Sequence, residues 1–322
     1  MSRRELYPSL FNMHRRGKLN AGVIACARSQ LSQQEFCAKA TEFLQKHASH
    51  RKMESFLSKL EYLSMDFSDA RSFEALRKKI GDADVVVCDL AVPEVAFVPI
   101  IKGLEAAFPR QFRMERLRLL VEKPFGHDLK SARRLNRLMQ RVVGERNIYR
   151  IDHFLAKEVV ENLLTVRFAN ELFRAVWNRR HVESVQISFS ERLGMEGRGE
   201  FYERTGALRD FVQSHIMQVL GLLAMEEPKR LEDELIKDGK ASVLRKLQPL
   251  RRSDVVFGQY TKGTIDGKEA AGYTSEPNVS KNSKTETFVA LRAFGNNPRW
   301  RGVPFYIRTG KRVGHRTGII SI

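Results

Sequence analysis

The sequence predicts an α/β protein, with a doubly wound parallel sheet first and an α+β domain with a mainly antiparallel sheet after it. Between Leu6 and Tyr149 short apolar runs alternate with amphipathic segments, the pattern of strands and crossover helices. Beyond Ile151 the pattern changes to long helical stretches and strands of period two. A length of 322 residues accommodates two domains of about 150 residues each. The boundary falls near Tyr149, which gives one domain at 1–149 and another at 150–322.

In the first domain Ala21–Ala27 reads as a strand, because its apolar run is continuous as in buried parallel strands. Ser32-Gln-Gln-Glu35 is a capping box and opens a helix through about Lys46. Tyr62–Phe67 reads as a strand, Ser72–Ile80 as a helix and Asp84–Val92 as a buried strand. A helix from Pro93 or Glu94 to Ala107 follows, then a strand at Arg118–Glu122. A helix from Ser131 to about Val143 and a short strand at Asn147–Ile151 complete the domain. Ligands of such a sheet bind at the carboxyl ends of its strands. In the second domain Lys157–Leu172 reads as one long helix and Ser184–Ser190 as a period-two strand. A glycine-bearing loop, Gly194–Gly199, precedes a second long helix over about Arg209–Met225. A polar, glycine-rich loop at Gly258–Lys284 then leads to an alternating strand at Thr285–Phe294.

Hydrophobic residues make up 42% of the chain and charged residues 29%, enough for a full core, which excludes disordered, collagen-like and disulfide-scaffold classes. No apolar run reaches the length of a membrane span, and no apolar stretch follows the basic start to make a signal peptide. Cys26, Cys37 and Cys88 form no metal spacing. A reduced, cytoplasmic protein without membrane partner or resident metal is therefore expected. The net charge of +18 raises the reading of a polyanion-binding protein, with Arg133, Arg134, Arg137 and Arg141 at helical spacing. No zinc-finger, helix-turn-helix or RNA-binding aromatic signature accompanies them, so no specific nucleic acid is expected. A basic surface suits phosphorylated metabolites equally well.

Several side chains carry chemistry. Lys123, in Glu122-Lys-Pro-Phe-Gly126, lies at a strand's carboxyl end and reads as a ligand for a phosphate or polar substrate, or as a solvated loop lysine. In Arg150–Glu158 a helical reading sets His153 and Lys157 on one face at i, i+4, able to grip one anion, with Asp152 pointing away; a charged helix start accounts for the cluster almost as well. His215 shares an apolar stripe with Val212, Ile216, Val219, Leu220 and Leu223. It reads as a satisfied core residue or, given a carboxylate partner, as a base for a hydroxyl proton near neutral pH. Glu191 and Asp210 suit sugar hydroxyls. Arg308-Thr-Gly-Lys311 with Arg316 reads as a phosphate-binding turn or a plain surface turn.

Eight segments, in order, carry a resemblance: Arg3–Phe11, Cys26–Ser29, Val121–Gly126, Arg150–Glu158, Asn162–Asn170, Gly194–Leu220, Val256–Tyr260 and Gly302–Lys311. With them the chain resembles the glucose-6-phosphate dehydrogenase family from residue 3 to about residue 317. The resemblance implies a Rossmann-like first domain and NADP-dependent oxidation of glucose 6-phosphate to 6-phosphogluconolactone, the first step of the oxidative pentose phosphate pathway. It makes His215 the general base and Asp152 the carboxylate that orients and charge-stabilises it. His153, Lys157, Lys311 and Arg316 would hold the sugar phosphate, Glu191 and Asp210 the ring hydroxyls. Lys123 would stand between substrate and coenzyme, and Arg28 near the coenzyme 2′-phosphate, which suits NADP better than NAD. Family members are expected to be homodimers.

The departures from the family also set expectations. The family's Gly-x-x-Gly-Asp-Leu-Ala turn precedes the segment matching Arg3–Phe11, where this chain has Met1-Ser2. That turn's amides would cradle the coenzyme pyrophosphate. The chain closes on Gly318-Ile-Ile-Ser-Ile322, where the family continues with further strands. A sheet without its first strand, a second domain incomplete at its C-terminus and a poor dehydrogenase are therefore expected, with a degenerate sugar-phosphate binder as the competing reading. Phe154 replaces the usual tyrosine and loses its hydroxyl.

Overall fold

The computed structural model describes residues 6–44 and 50–322, so Arg3–Glu5 of the first matching segment and the expected helix end at Lys46 lie outside the described residues. The chain forms two compact units that divide between Ile151 and Asp152. Among the described residues no helix is long and apolar enough to cross a membrane.

The first unit carries its parallel strands in two pieces. Helix α1 (Tyr7–Arg15) leads to β1 (Val23–Ala27), followed by α2 (Gln33–Leu44), α3 (His50–Leu57) and β2 (Leu60–Ser64). β1 and β2 pair in parallel with Val23 opposite Leu60. Phe11, Phe36, Phe56 and Leu44 make a small core beneath them. After α4 (Ala70–Ile80) comes β3 (Val86–Asp89), then α5 (Phe97–Ala107), α6 (Arg110–Glu115), β4 (Leu117–Glu122), α7 (Leu129–Val143) and β5 (Ile148–Ile151). These three strands form a second parallel sheet in the order β3-β4-β5, over a core of Phe97, Ile101, Leu104, Leu119 and Met139. Among the described residues β1 pairs only with β2 and β3 only with β4.

The Ser32 capping box forms as expected: the Ser32 N–H donates to the Glu35 carboxylate at 2.8 Å, and the Glu35 N–H donates to Ser32 Oγ at 3.2 Å. The expected strand Tyr62–Phe67 instead occupies Leu60–Ser64, and Asp84–Val92 shortens to Val86–Asp89. Leu90 onward turns into the loop before α5. Helices α3 and α6 were not expected. Each is too short for an apolar period to repeat, and α3 is fixed by Met53 and Phe56 docking into the core.

The second unit opens with α8 (Glu158–Phe168) and α9 (Glu171–Val176) in place of one helix to Leu172. Asn170 breaks the run: its side chain accepts from the Leu172 and Phe173 N–H groups and caps α9. The remaining strands are β6 (Val185–Ser190), β7 (Val255–Gly258), a hairpin of β8 (Gly263–Ile265) and β9 (Lys268–Ala270), β10 (Phe288–Ala293), β11 (Phe305–Gly310) and β12 (Thr317–Ser321). Five make one sheet in the order β12-β6-β11-β10-β7. It is antiparallel throughout except for the parallel pair β6–β11. The polar loop at 258–284 therefore contains a hairpin, because Asp266 and Gly267, both with positive φ, supply its two-residue turn.

The expected helix Arg209–Met225 is two pieces, with a further helix before them. Helix α10 (Gly199–Ala207) meets a kink at Gly206, residues Leu208–Ile216 wind as a π-helix, and α11 (Met217–Ala224) follows, with α12 (Asp233–Arg245) beyond it. Gly206 has φ 62°, and a Cβ there would lie 2.2 Å from Glu286 Oε1. That close approach lets the Glu286 carboxylate accept the Leu208 N–H at 3.0 Å and cap the π-helix. At the far end side chains cover the orphan carbonyls of α11. Arg167 donates to Leu222 O and Met225 O, Trp177 Nε1 to Leu223 O and Trp300 Nε1 to Ala224 O. The segment bearing His215 is thus tied at both ends.

Candidate active site

Asp152 directly follows the last strand of the first unit, and its carboxylate accepts the Phe154 N–H at 2.9 Å. This side-chain bond holds residues 153–156 as a turn, so the helical reading that set His153 and Lys157 at i, i+4 is corrected; Lys157 is instead the residue before α8. The same Asp152 oxygen lies 2.6 Å from His215 Nδ1, across 63 residues of chain. Burial pulls the Asp152 pKa up, but the bonds from His215 and the Phe154 amide, with the two nearby imidazoles, outweigh it together and leave the carboxyl below its ordinary value. An ionised Asp152 requires the proton on Nδ1, which leaves His215 Nε2 as the basic nitrogen. His215 is 2% exposed and stays on the buried stripe read from the sequence. This histidine is packed and has a carboxylate behind it.

His153 stands edge-on to His215, their ring centroids 4.7 Å apart. Asp152, His153 and His215 offer donor atoms within 4.8 Å of one another, the grouping among the described residues that could hold a metal. Its acid and one of its imidazoles already satisfy each other. Around this pair lie the expected cations. Lys157 Nζ sits 3.4 Å from the Phe154 ring centroid. Burial and the nearby charge of Arg316 lower its pKa, while Glu191 and Asp152 pull it the other way, so all four groups share one neighbourhood. Lys311, almost fully buried, ion-pairs with Glu191. Asp210 lies on the π-helix and Glu191 at the end of β6. Burial pushes the Tyr202 phenol up, and the nearby charges of Asp210, Glu286 and Glu191 push it further.

Backbone bonds fix the turn that carries these residues: Lys311 N–H to Thr287 O, Glu191 N–H to Gly310 O and Val313 N–H to Glu191 O. Ser190 Oγ donates to His315 O at 2.7 Å beside the exposed Arg316. Arg308 is held by Ser188 Oγ within the sheet. Two anchors were not foreseen. Glu203 accepts from Tyr273 and Ser283, and Glu276 pairs with Arg312 at 2.9 Å while accepting from Tyr260. These partners lie 16 to 80 residues apart, so no local spacing announces them.

In the first unit Lys123 follows β4 and closes a cleft of about 280 Å³ with Leu90, Ala91, Val92, Pro93, Phe97 and Glu122. The cleft opens at the carboxyl ends of β3 and β4, where a doubly wound sheet binds its ligand. Arg28 stands one residue past β1, close enough to Asp66 to act on its ionisation.

The family model for the glucose-6-phosphate dehydrogenase NAD binding domain matches residues 1–162, and the model for that enzyme's C-terminal domain matches residues 164–322. The chain belongs to the glucose-6-phosphate dehydrogenase family. It is 39% identical over 340 residues to glucose-6-phosphate 1-dehydrogenase of Chlamydia muridarum (strain MoPn / Nigg), covering 100% of this chain and 67% of that protein. The Bacillus subtilis (strain 168) relative is 36% identical over 335 residues, covering 100% of this chain and 68% of that one. The chain thus spans about two thirds of these relatives. The solved Mycobacterium avium glucose-6-phosphate 1-dehydrogenase superimposes with a TM-score of 0.90 at 37% identity, over 99% of this chain and 68% of its own. A glucose-6-phosphate dehydrogenase solved in complex with glucose 6-phosphate gives a TM-score of 0.90 at 34% identity, with the same coverage. Levoglucosan dehydrogenase, at 13% identity and a TM-score of 0.53, shares the fold alone.

Proposed function

We propose that this chain oxidises glucose 6-phosphate to 6-phosphogluconolactone with NADP, acting in the cytoplasm as a homodimer. The observation that carries the reading is the His215–Asp152 pair, 2.6 Å apart, beside Lys157 and Arg316. His215 Nε2 takes the proton of the C1 hydroxyl as the C1 hydrogen leaves with its electron pair and C1=O forms. Asp152 stabilises the imidazolium that results, the service a carboxylate performs behind a histidine base. His153, Lys157, Lys311 and Arg316 hold the phosphate, and Glu191 and Asp210 the ring hydroxyls. The strand-end cleft with Lys123, and Arg28 past β1, fit a phosphorylated nicotinamide coenzyme; when bound, it supplies the hydride acceptor. The homodimer is supported by the sheet's outer face, which exposes Val256, Tyr306 and Ile319.

Calorimetric titration tests the substrate. Saturable heat with glucose 6-phosphate and none with unphosphorylated glucose at equal concentration is the expected result. Heat that any polyanion reproduces and that falls steeply with salt would instead favour the polyanion-binding reading.

A further inference from the structure

The two phosphate-side lysines are held in opposite ways. Lys311 Nζ is neutralised by Glu191. Lys157 Nζ makes no ion pair among the described residues and rests instead 3.4 Å from the centre of the Phe154 ring, with Phe189 at 5.7 Å. The Phe154 ring also stacks on the His215 imidazole, centroids 4.5 Å apart and planes 21° from parallel. At those separations the ammonium and the imidazole cannot share a face without overlap, so they occupy opposite faces. Phe189 and Phe211 meet the ring at 75° and 85° and lock its plane, and the Phe154 amide is bonded to Asp152. The ring is 4% exposed and the ammonium on it half-buried, so the contact is partly shielded from water.

We propose that Phe154 is a positioning residue for substrate phosphate, its one face holding the Lys157 ammonium in place while the other seats His215. An aromatic face orders a cation without supplying a competing negative charge. An arriving phosphate therefore meets a fixed ammonium and breaks no ion pair to reach it. The assignment rests on glucose 6-phosphate being the ligand of this site. It extends that reading by giving a hydrocarbon side chain a phosphate-specific task.

A double-mutant cycle with calorimetric glucose 6-phosphate affinity tests it. Phe154→Leu is expected to weaken binding by about 5- to 30-fold, the span of a partly buried cation–π contact. In a Lys157→Met background the same change is expected to cost less than about twofold, since coupled residues are non-additive. Phe154→Tyr, which keeps the ring, is expected to bind as tightly as the parent. Fluorinated phenylalanine at position 154 keeps the shape of the ring and weakens its negative face, so affinity is expected to fall stepwise with fluorine content, and this arm stands even if Phe154→Leu fails to fold. Equal losses in both backgrounds, or affinity indifferent to fluorination, would overturn the assignment and leave the substrate in place. Absence of glucose 6-phosphate binding by the parent would overturn both.

Discussion

Replacing His215 with asparagine is expected to lower kcat by about 10²–10⁴-fold, the range for a removed general base, while the affinity for glucose 6-phosphate stays within about threefold of the parent. The asparagine amide can still donate to Asp152, so the local geometry survives, but it carries no basic nitrogen to receive the C1 hydroxyl proton. A histidine serving only the core predicts the opposite pattern, a lower melting temperature with kcat unchanged. Steady-state kinetics beside a thermal melt separates the two. The Asp152 partner adds a pH signature. Its folded pKa lies below the ordinary carboxylate value of about 3.9, so the stability it contributes is complete above that value and is lost as pH falls through the lowered one. An activity loss on the acid side well above that range therefore does not arise from Asp152.

Arg167→Met is expected to destabilise the second unit by about 2–5 kcal/mol. Arg167 is 3% exposed and covers two carbonyls at the end of α11, Leu222 O and Met225 O. Methionine fills much of the volume but donates nothing, and each bare buried carbonyl costs about 1–3 kcal/mol. Some of that is offset, because Arg167 Nε has no hydrogen-bond partner among the described residues and burial already pushes the guanidinium down to about 9. Against a total domain stability of about 5–15 kcal/mol the expected loss is large. A denaturant titration reads it directly; an unchanged midpoint would show that the capping bonds contribute nothing.

Local signals in the chain specified local structure well. The Ser32–Glu35 box, the continuous apolar run of β1 and the period-two run of β6 each became the element they spell. Asp152 and His215 could be paired only through the resemblance, because nothing in the spacing of residues 63 apart brings them together. What stayed hidden is tertiary. The π-helix at Leu208–Ile216 depends on Glu286 reaching across to Gly206, and the break before α9 on one asparagine whose side chain outbids the helix. The helical expectation for residues 153–157 failed for a similar reason, since Asp152 bonds its own backbone two residues on. The role of Phe154 was invisible because a phenylalanine in a charged motif reads as a missing hydroxyl; only the structure reveals a cation on its face.

The central claim is that His215 removes the C1 hydroxyl proton while the C1 hydrogen passes to NADP. Glucose 6-phosphate carrying deuterium at C1, incubated with the purified protein and NADP, tests it at any turnover rate. The predicted result is NADPH one mass unit heavier than that formed from unlabelled substrate, with about 10²–10⁴-fold less formed by the His215→Asn protein over the same interval. Unlabelled NADPH, or labelled NADPH formed equally fast by His215→Asn, would contradict it.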